Sequence, residues 1–229
     1  MVAIPVRENG GQCMNRLLDP WPAISDLFAG LVIATFGALI LFTYVAGRPD
    51  PVDVKAKEIQ ADVEHSLQQA LGGVSRPCGE DVCLDVTIEF ELNKDGILPA
   101  FRERLARACS ALHSTLRDPA RRDLIEIFVE GHTDKTQPQG AATNREAYLY
   151  NWRLSASRAS SVLYEFRACG VQAPEYRIVA VGHAETEPLC FDSTPDCLQK
   201  NRRTTFRLRP DRIKIANLLK TSQSAPPSE

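Results

Sequence analysis

Tyr150-Asn151-Trp152-Arg153-Leu154-Ser155-Ala156-Ser157-Arg158-Ala159 lies inside a helix-forming stretch, residues 145–169, that Gly170 closes. Asn151, Leu154 and Arg158 are spaced by three and by four, so they share one helix face. Just upstream, residues 124–129 have the composition of a strand and run into Glu130-Gly131-His132-Thr133-Asp134, followed by a polar loop that holds Gly140. Asp134 therefore follows the strand expected to lie beside this helix. Downstream, residues 176–181 form another expected strand, ending in Gly182-His183.

Further out, Leu84-Asp85-Val86-Thr87-Ile88-Glu89-Phe90-Glu91-Leu92 alternates apolar and polar residues, the period of a strand with one buried face. A turn, Asn93-Lys94-Asp95-Gly96, leads to Pro99 and a helix over 100–116 with Phe101, Leu105, Cys109 and Leu112 inward. Residues 204–208 alternate again, with Phe206 and Leu208 inward. Strand, helix, strand, helix, strand, strand predicts an α+β domain over 84–210. It would hold two crossover units on a mixed four-stranded sheet, with helices packed on one face. Before it, residues 52–71 predict an amphipathic helix whose stripe is Ile59, Val63, Leu67 and Leu71, ended by Gly72-Gly73. That stripe suits either a second copy of the chain or the following domain, and residues 47–83 are taken as a linker. Residues 211–229 are expected to be a tail, partly disordered, ending in Ser224-Ala225-Pro226-Pro227-Ser228.

The N-terminal part is of a different kind. No charge occurs over 27–47, enough for a single transmembrane helix, assigned to 20–46. Asp26 sits near its entry. An acid at the centre of a span costs about 2.5–3.5 kcal/mol on insertion scales, and an intramembrane acid marks an ion or proton path by default. The bland alternative makes Ser25 a cap and Asp26 a first-turn residue. Asp19 as cap, with Pro20 and Pro22 in the first turn, favours an earlier start. Asp26, Gly30, Ala34 and Ala38 then fall on one face, small enough for close helix packing. Tyr44-Val45-Ala46-Gly47 makes a poor cleavage site, so the helix is expected to stay as an anchor behind a short tail, residues 1–19.

Cys13 precedes the span, while Cys78, Cys83, Cys109, Cys169, Cys190 and Cys197 follow it. An even set on one side fits an oxidising exterior, so the N-terminus is expected in the cytoplasm and the domain outside. Short separations favour Cys78–Cys83 and Cys190–Cys197, leaving Cys109 for Cys169. Loop charges do not decide orientation, because Arg7 and Arg16 precede the span and Arg48, Lys55 and Lys57 follow it. The net charge of −2 gives no reason to expect nucleic-acid binding.

An acid and an arginine at one mouth can grip a zwitterion, Asp134 taking an ammonium and Arg158 a carboxylate in a two-pronged bond. The competing reading is an Asp134–Arg158 salt bridge that only ties loop to helix. His132 and His183 each follow a glycine at a strand end, but no cysteine or carboxylate spacing supports a metal, and no cofactor is expected. No nucleophile and base are arranged for hydrolysis, so the chain is not expected to be an enzyme.

Gly131-His132-Thr133-Asp134, the 150–159 string, Val181-Gly182-His183 and Asn201-Arg202-Arg203, in this order, resemble the OmpA-like peptidoglycan-binding domain. The Asn-Trp-x-Leu-Ser-x-x-Arg-Ala form and the span with its acid resemble the B subunits of ion-driven stators, flagellar MotB and the ZorB type of the Zorya anti-phage system. The short tail, compact linker and six exported cysteines are closer to ZorB; Trp21 lies one residue nearer Asp26 than in MotB. By position, the resemblance implies that Asp134 and Arg158 hold the diaminopimelate of the wall stem peptide, that Asn151 and Leu154 line the site, and that Tyr150 and Arg202 contribute. It further implies a homodimer inside a five-copy ring of a multi-pass partner like MotA or ZorA, with Asp26 passing an ion, expected to be a proton. Together these describe an inner-membrane motor subunit held still by the wall; the alternatives are a flagellar stator and a passive wall anchor.

Overall fold

The computed structural model describes residues 21–90, 94–136 and 143–224. The chain divides into two compact units, Met1–Pro49 and Asp50–Glu229, which are taken one at a time.

In the first unit the helix α1 (Trp21–Ala46) is long and apolar enough to cross a membrane. Its 26 residues rise about 39 Å, more than the ~30 Å hydrocarbon thickness. Thr35 and Thr43 each donate to the carbonyl three residues back, Val32 and Ile40, both at 2.9 Å, so their hydroxyls are satisfied within the helix. Near the end, Arg48 donates to the Tyr44 hydroxyl at 2.6 Å and lies 4.5 Å over its ring. No acid lies in the first turn of α1, so Asp26 sits deeper than the first-turn reading requires. Asp19 and Pro20 lie outside the described residues, as do Cys13 and the rest of the expected tail.

The second unit runs α2 (Pro51–Leu71), β1 (Val74–Cys78), β2 (Asp81–Val86), α3 (Pro99–Thr115), α4 (Pro119–Arg122), β3 (Ile125–Gly131), α5 (Asn144–Arg167), β4 (Ile178–Gly182), α6 (Pro195–Asn201), β5 (Thr204–Pro210) and α7 (Arg212–Ser224). Its sheet is ordered β1-β2-β5-β3-β4, with β3 and β4 parallel and the other neighbours antiparallel. Both expected crossovers are present. The unit β3-α5-β4 joins neighbouring strands, while β2-α3-β3 leaves a gap that β5 fills from the far end of the chain. Leu84, Val86, Ile125, Ile127, Val129, Phe206 and Leu208 are buried on the helix-covered face. The other face is polar: Arg76, Arg203 and Thr205 all bond Asp85, and Arg209 lies 4.6 Å over Phe128.

The sheet has five strands, not four. Val74-Ser75-Arg76-Pro77-Cys78 forms an edge hairpin with β2, turning through Gly79 at φ 71° and closed by the Cys78–Cys83 bridge. Its proline and polar residues hide the alternation, and an edge strand tolerates both. The strand expected over 84–92 spans 81–86, because its pairing with β5 ends where β5 begins, at Val86↔Thr204. Beyond it Ile88 stays buried, and Phe90 makes an isolated bridge with Ile97.

Residues 47–83 are more than a linker. Pro51 opens α2 behind Asp50, whose carboxylate accepts from Val52 N at 2.8 Å. The stripe Ile59, Val63, Leu67 and Leu71 is buried in this unit's own core, chiefly against α3. Gly72 and Gly73 both take positive φ, and a Cβ on Gly73 would stand 2.4 Å from the Asp85 carbonyl. Residues 212–224, expected within a tail, are helical: Asp211 accepts from Lys214 N at 3.1 Å, Ile215 is buried, and α7 packs on α2. One buried isoleucine left little periodicity to read. Residues 225–229 lie outside the described residues. The structure joins Cys78 to Cys83, Cys109 to Cys169 and Cys190 to Cys197, with Cα separations of 5.9, 6.2 and 5.8 Å.

Candidate ligand-binding site

Two glycines set the geometry. A Cβ on Gly131, at the end of β3, would lie 2.1 Å from the Ser155 carbonyl oxygen; one on Gly182, at the end of β4, would lie 2.7 Å from Ala156 N. The middle of α5 can sit this close to the strand ends only because both positions lack a side chain. Ser155, fully buried, accepts from Ala184 N and donates to the Trp152 carbonyl, each at 3.0 Å. The glycines and serine of the sequence motif are thus packing residues that press Asn151, Leu154 and Arg158 toward the loop after β3.

That loop carries Asp134, 6% exposed. Its Oδ1 accepts from Thr136 N at 2.7 Å, and its Oδ2 is paired with Arg202. Burial pushes the carboxyl up, but the Thr136 hydrogen bonds and the Arg202 guanidinium outweigh it and hold Asp134 below the usual carboxylate range. Asn151, buried, reaches the Asp134 and Thr136 carbonyls at 3.4 and 3.5 Å. Tyr150, Leu154 and Arg158 are half-buried on the same helix.

The simple Asp134–Arg158 bridge does not form. Arg158 Nε donates to the Lys94 carbonyl at 3.1 Å, and its guanidinium lies 4.9 Å over Phe90. Burial draws the guanidinium below its ordinary range; Tyr150, Arg202, Asp134 and Asp95 are all close enough to act on it. Asp134, Tyr150, Asn151, Arg158 and Arg202 therefore share one neighbourhood, with Arg202, a lesser candidate from sequence, holding the acid; Leu154 lies on the same helix, half-buried. Sequence reading missed the contribution of Lys94-Asp95, taken only as a turn. Ser157 bonds Asp95, whose carboxyl that bond holds low, so the turn is tied to α5 beside Arg158.

The histidines are neighbours. His132 and His183 stack with centroids 5.0 Å apart. His132 Nε2 meets Thr205 Oγ1 at 3.2 Å, and burial drives its pKa to about 3. His183 lies 3.6 Å from Glu130 and 3.4 Å from Glu187, and the Glu130 carboxylate raises its pKa against the effect of burial. Donor atoms of Glu130, His183 and Glu187 come within 4.8 Å of one another, yet Arg207 already supplies a cation there, 2.8 Å from Glu130.

The family model for the OmpA family matches residues 90–202. The mixed sheet with its packed helices has an OmpA-like fold. The uncharacterized Bacillus subtilis protein YtxE is 37% identical over 86 residues, 37% of this chain; the match spans 32% of YtxE's own length. Outer-membrane lipoprotein YfiB of Pseudomonas aeruginosa is 27% identical over 175 residues, 74% of this chain and 90% of YfiB. A MotB-like protein from Desulfovibrio vulgaris has a similar fold, with a TM-score of 0.53 and 22% identity over 70% of this chain and 94% of that one. In the second unit β5 and α7 follow the matched residues, while α2, β1 and β2 precede them.

Proposed function

We propose that this chain is the wall-anchored, stationary subunit of an ion-driven rotary motor in the inner membrane. In this reading the OmpA-like domain binds peptidoglycan outside the membrane while α1 carries Asp26 in the span. The observation that carries it is the pairing, in one chain, of an apolar helix holding a single acid beyond its first turn with a buried, ionised Asp134 beside Arg158 and Arg202. A diaminopimelate side chain is a zwitterion. Asp134 takes its ammonium, and Arg158, whose guanidinium meets a carbonyl and a ring among the described residues, takes its carboxylate. Arg202 holds Asp134 until the ligand arrives.

Two copies sit inside a ring of a MotA- or ZorA-like partner, five copies by family resemblance. Asp26 accepts a proton from outside and releases it inside, driven by about 2.3 kcal/mol per charge per 100 mV. The changing charge alters contacts with the ring, and the wall grip makes the ring turn instead of the dimer. The six cysteines after the span point to the ZorB type, in anti-phage defence. The test of the wall-binding half is sedimentation of full-length protein in detergent with purified sacculi. Wild type co-sediments and Arg158→Ala does not; equal sedimentation of both refutes the site.

A further inference from the structure

Phe191 is 82% exposed, more than any other large apolar side chain among the described residues. A lone exposed aromatic is ordinarily unremarkable, but this one is held firmly in place. Its carbonyl accepts from Lys135 Nζ at 2.9 Å, and Lys135 directly follows Asp134. On its other side, Asn201, 4% exposed, accepts from Leu189 N at 2.8 Å and donates to the Cys190 carbonyl at 2.9 Å. Arg202, the next residue, holds Asp134. The Cys190–Cys197 bridge and the Thr194 cap of α6 close the loop on itself. Two tethers thus fix Phe191 to the two halves of the Asp134–Arg202 pair.

Resting on the peptidoglycan reading above, we infer that Phe191 is a platform for the glycan strand, stacking on the apolar face of a sugar ring while the pocket holds the peptide. The negative face of an aromatic ring suits the C–H bonds that a pyranose presents on one side. Because the loop is already rigid, little ordering is needed on binding. Diaminopimelate is the third residue of its stem, so the peptide puts the sugar up to about 10 Å from the gripped group. Lys135 links the two positions by the length of one side chain. The assigned ligand is therefore a stem peptide still joined to its sugar.

The test compares two probes against full-length protein in detergent: a sugar-bearing muropeptide and the same stem peptide without sugar. Phe191→Ala should weaken the muropeptide roughly tenfold, the scale of an interface anchor, and leave the free peptide unchanged. Phe191→Trp should retain muropeptide binding, and thiol titration should show the Cys190–Cys197 bridge intact in both variants. Unchanged muropeptide binding by Phe191→Ala, or equal weakening of both probes, overturns the inference while the peptide site stands. Wild type binding neither probe overturns the peptidoglycan reading itself.

Discussion

Arg202 holds the Asp134 carboxylate, while Arg158, on the helix face beside that loop, makes no ion pair within 4 Å among the described residues. One acid with two arginines in reach is a pre-charged site: the acid is kept ionised and one cation remains to be used. The two arginines should therefore differ in their effects. Arg158→Ala should abolish binding of diaminopimelate-containing peptide, while Arg202→Ala should weaken it about tenfold or less, since Thr136 still holds Asp134. Titration calorimetry on both variants checks the order; the reverse order would make Arg202 the ligand's partner.

Gly131→Ala should destabilise the folded unit by about 1–3 kcal/mol or more, because the new methyl would stand 2.1 Å from the Ser155 carbonyl and backbone cannot give way as a side chain can. Gly170, at φ 90° but with nothing within 4 Å, should show only the milder cost of its backbone conformation when changed to alanine. Urea unfolding of the two variants separates the effects.

Acid should weaken the fold through His132. Its pKa falls from 6.5 to about 3 on folding, chiefly by burial, with the Arg203 and His183 charges adding and Asp85 opposing. A base depressed in the fold binds fewer protons there than in the unfolded chain, so stability is full above about 6.5 and declines as pH falls toward 3. His183 works in the opposite sense. Raised by Glu130, it adds stability that is full below 6.5 and is lost as pH rises through its folded value. The His132 contribution is about 3 kcal/mol between pH 7 and pH 4. Urea midpoints across that range should fall for wild type and fall markedly less for His132→Gln; parallel curves would contradict the assignment.

Replacing Cys109 and Cys169 together by serine should cost about 2–4 kcal/mol, since the bridge closes a separation of 60 residues between α3 and the end of α5. Removing Cys78–Cys83, separation 5, should cost less. Thermal melts with and without reductant give both values, and an equal loss from the two pairs would contradict the loop-length argument.

The parts legible in the sequence were those with strong periodicity or strict spacing. α3 and α5 were readable within a residue or two because Pro99 and Gly170 punctuate them. The helix α2 was readable as a stripe, but not its partner, since Ile59 and Leu67 would suit a second copy as well as the core that buries them. β1 was hidden by Pro77 and its edge position, and α7 by having one buried anchor, Ile215. At the site, Asn151 and Arg158 followed from helical spacing. The Arg202–Asp134 pair did not, because it joins residues from two loops 68 positions apart. The glycines were visible as a motif, but only the close approach of Ser155 explains why no side chain fits.

Exchanging Asp26 for asparagine keeps the side-chain shape while removing the group proposed to carry the proton. Cells carrying the gene with its neighbours, wild type against Asp26→Asn, are challenged with a phage panel, with protein level checked by immunoblot. Wild type should protect, and the variant, made in equal amount, should not. Equal protection by both would contradict the proposed role of Asp26, leaving α1 a plain tether for a domain that grips the wall.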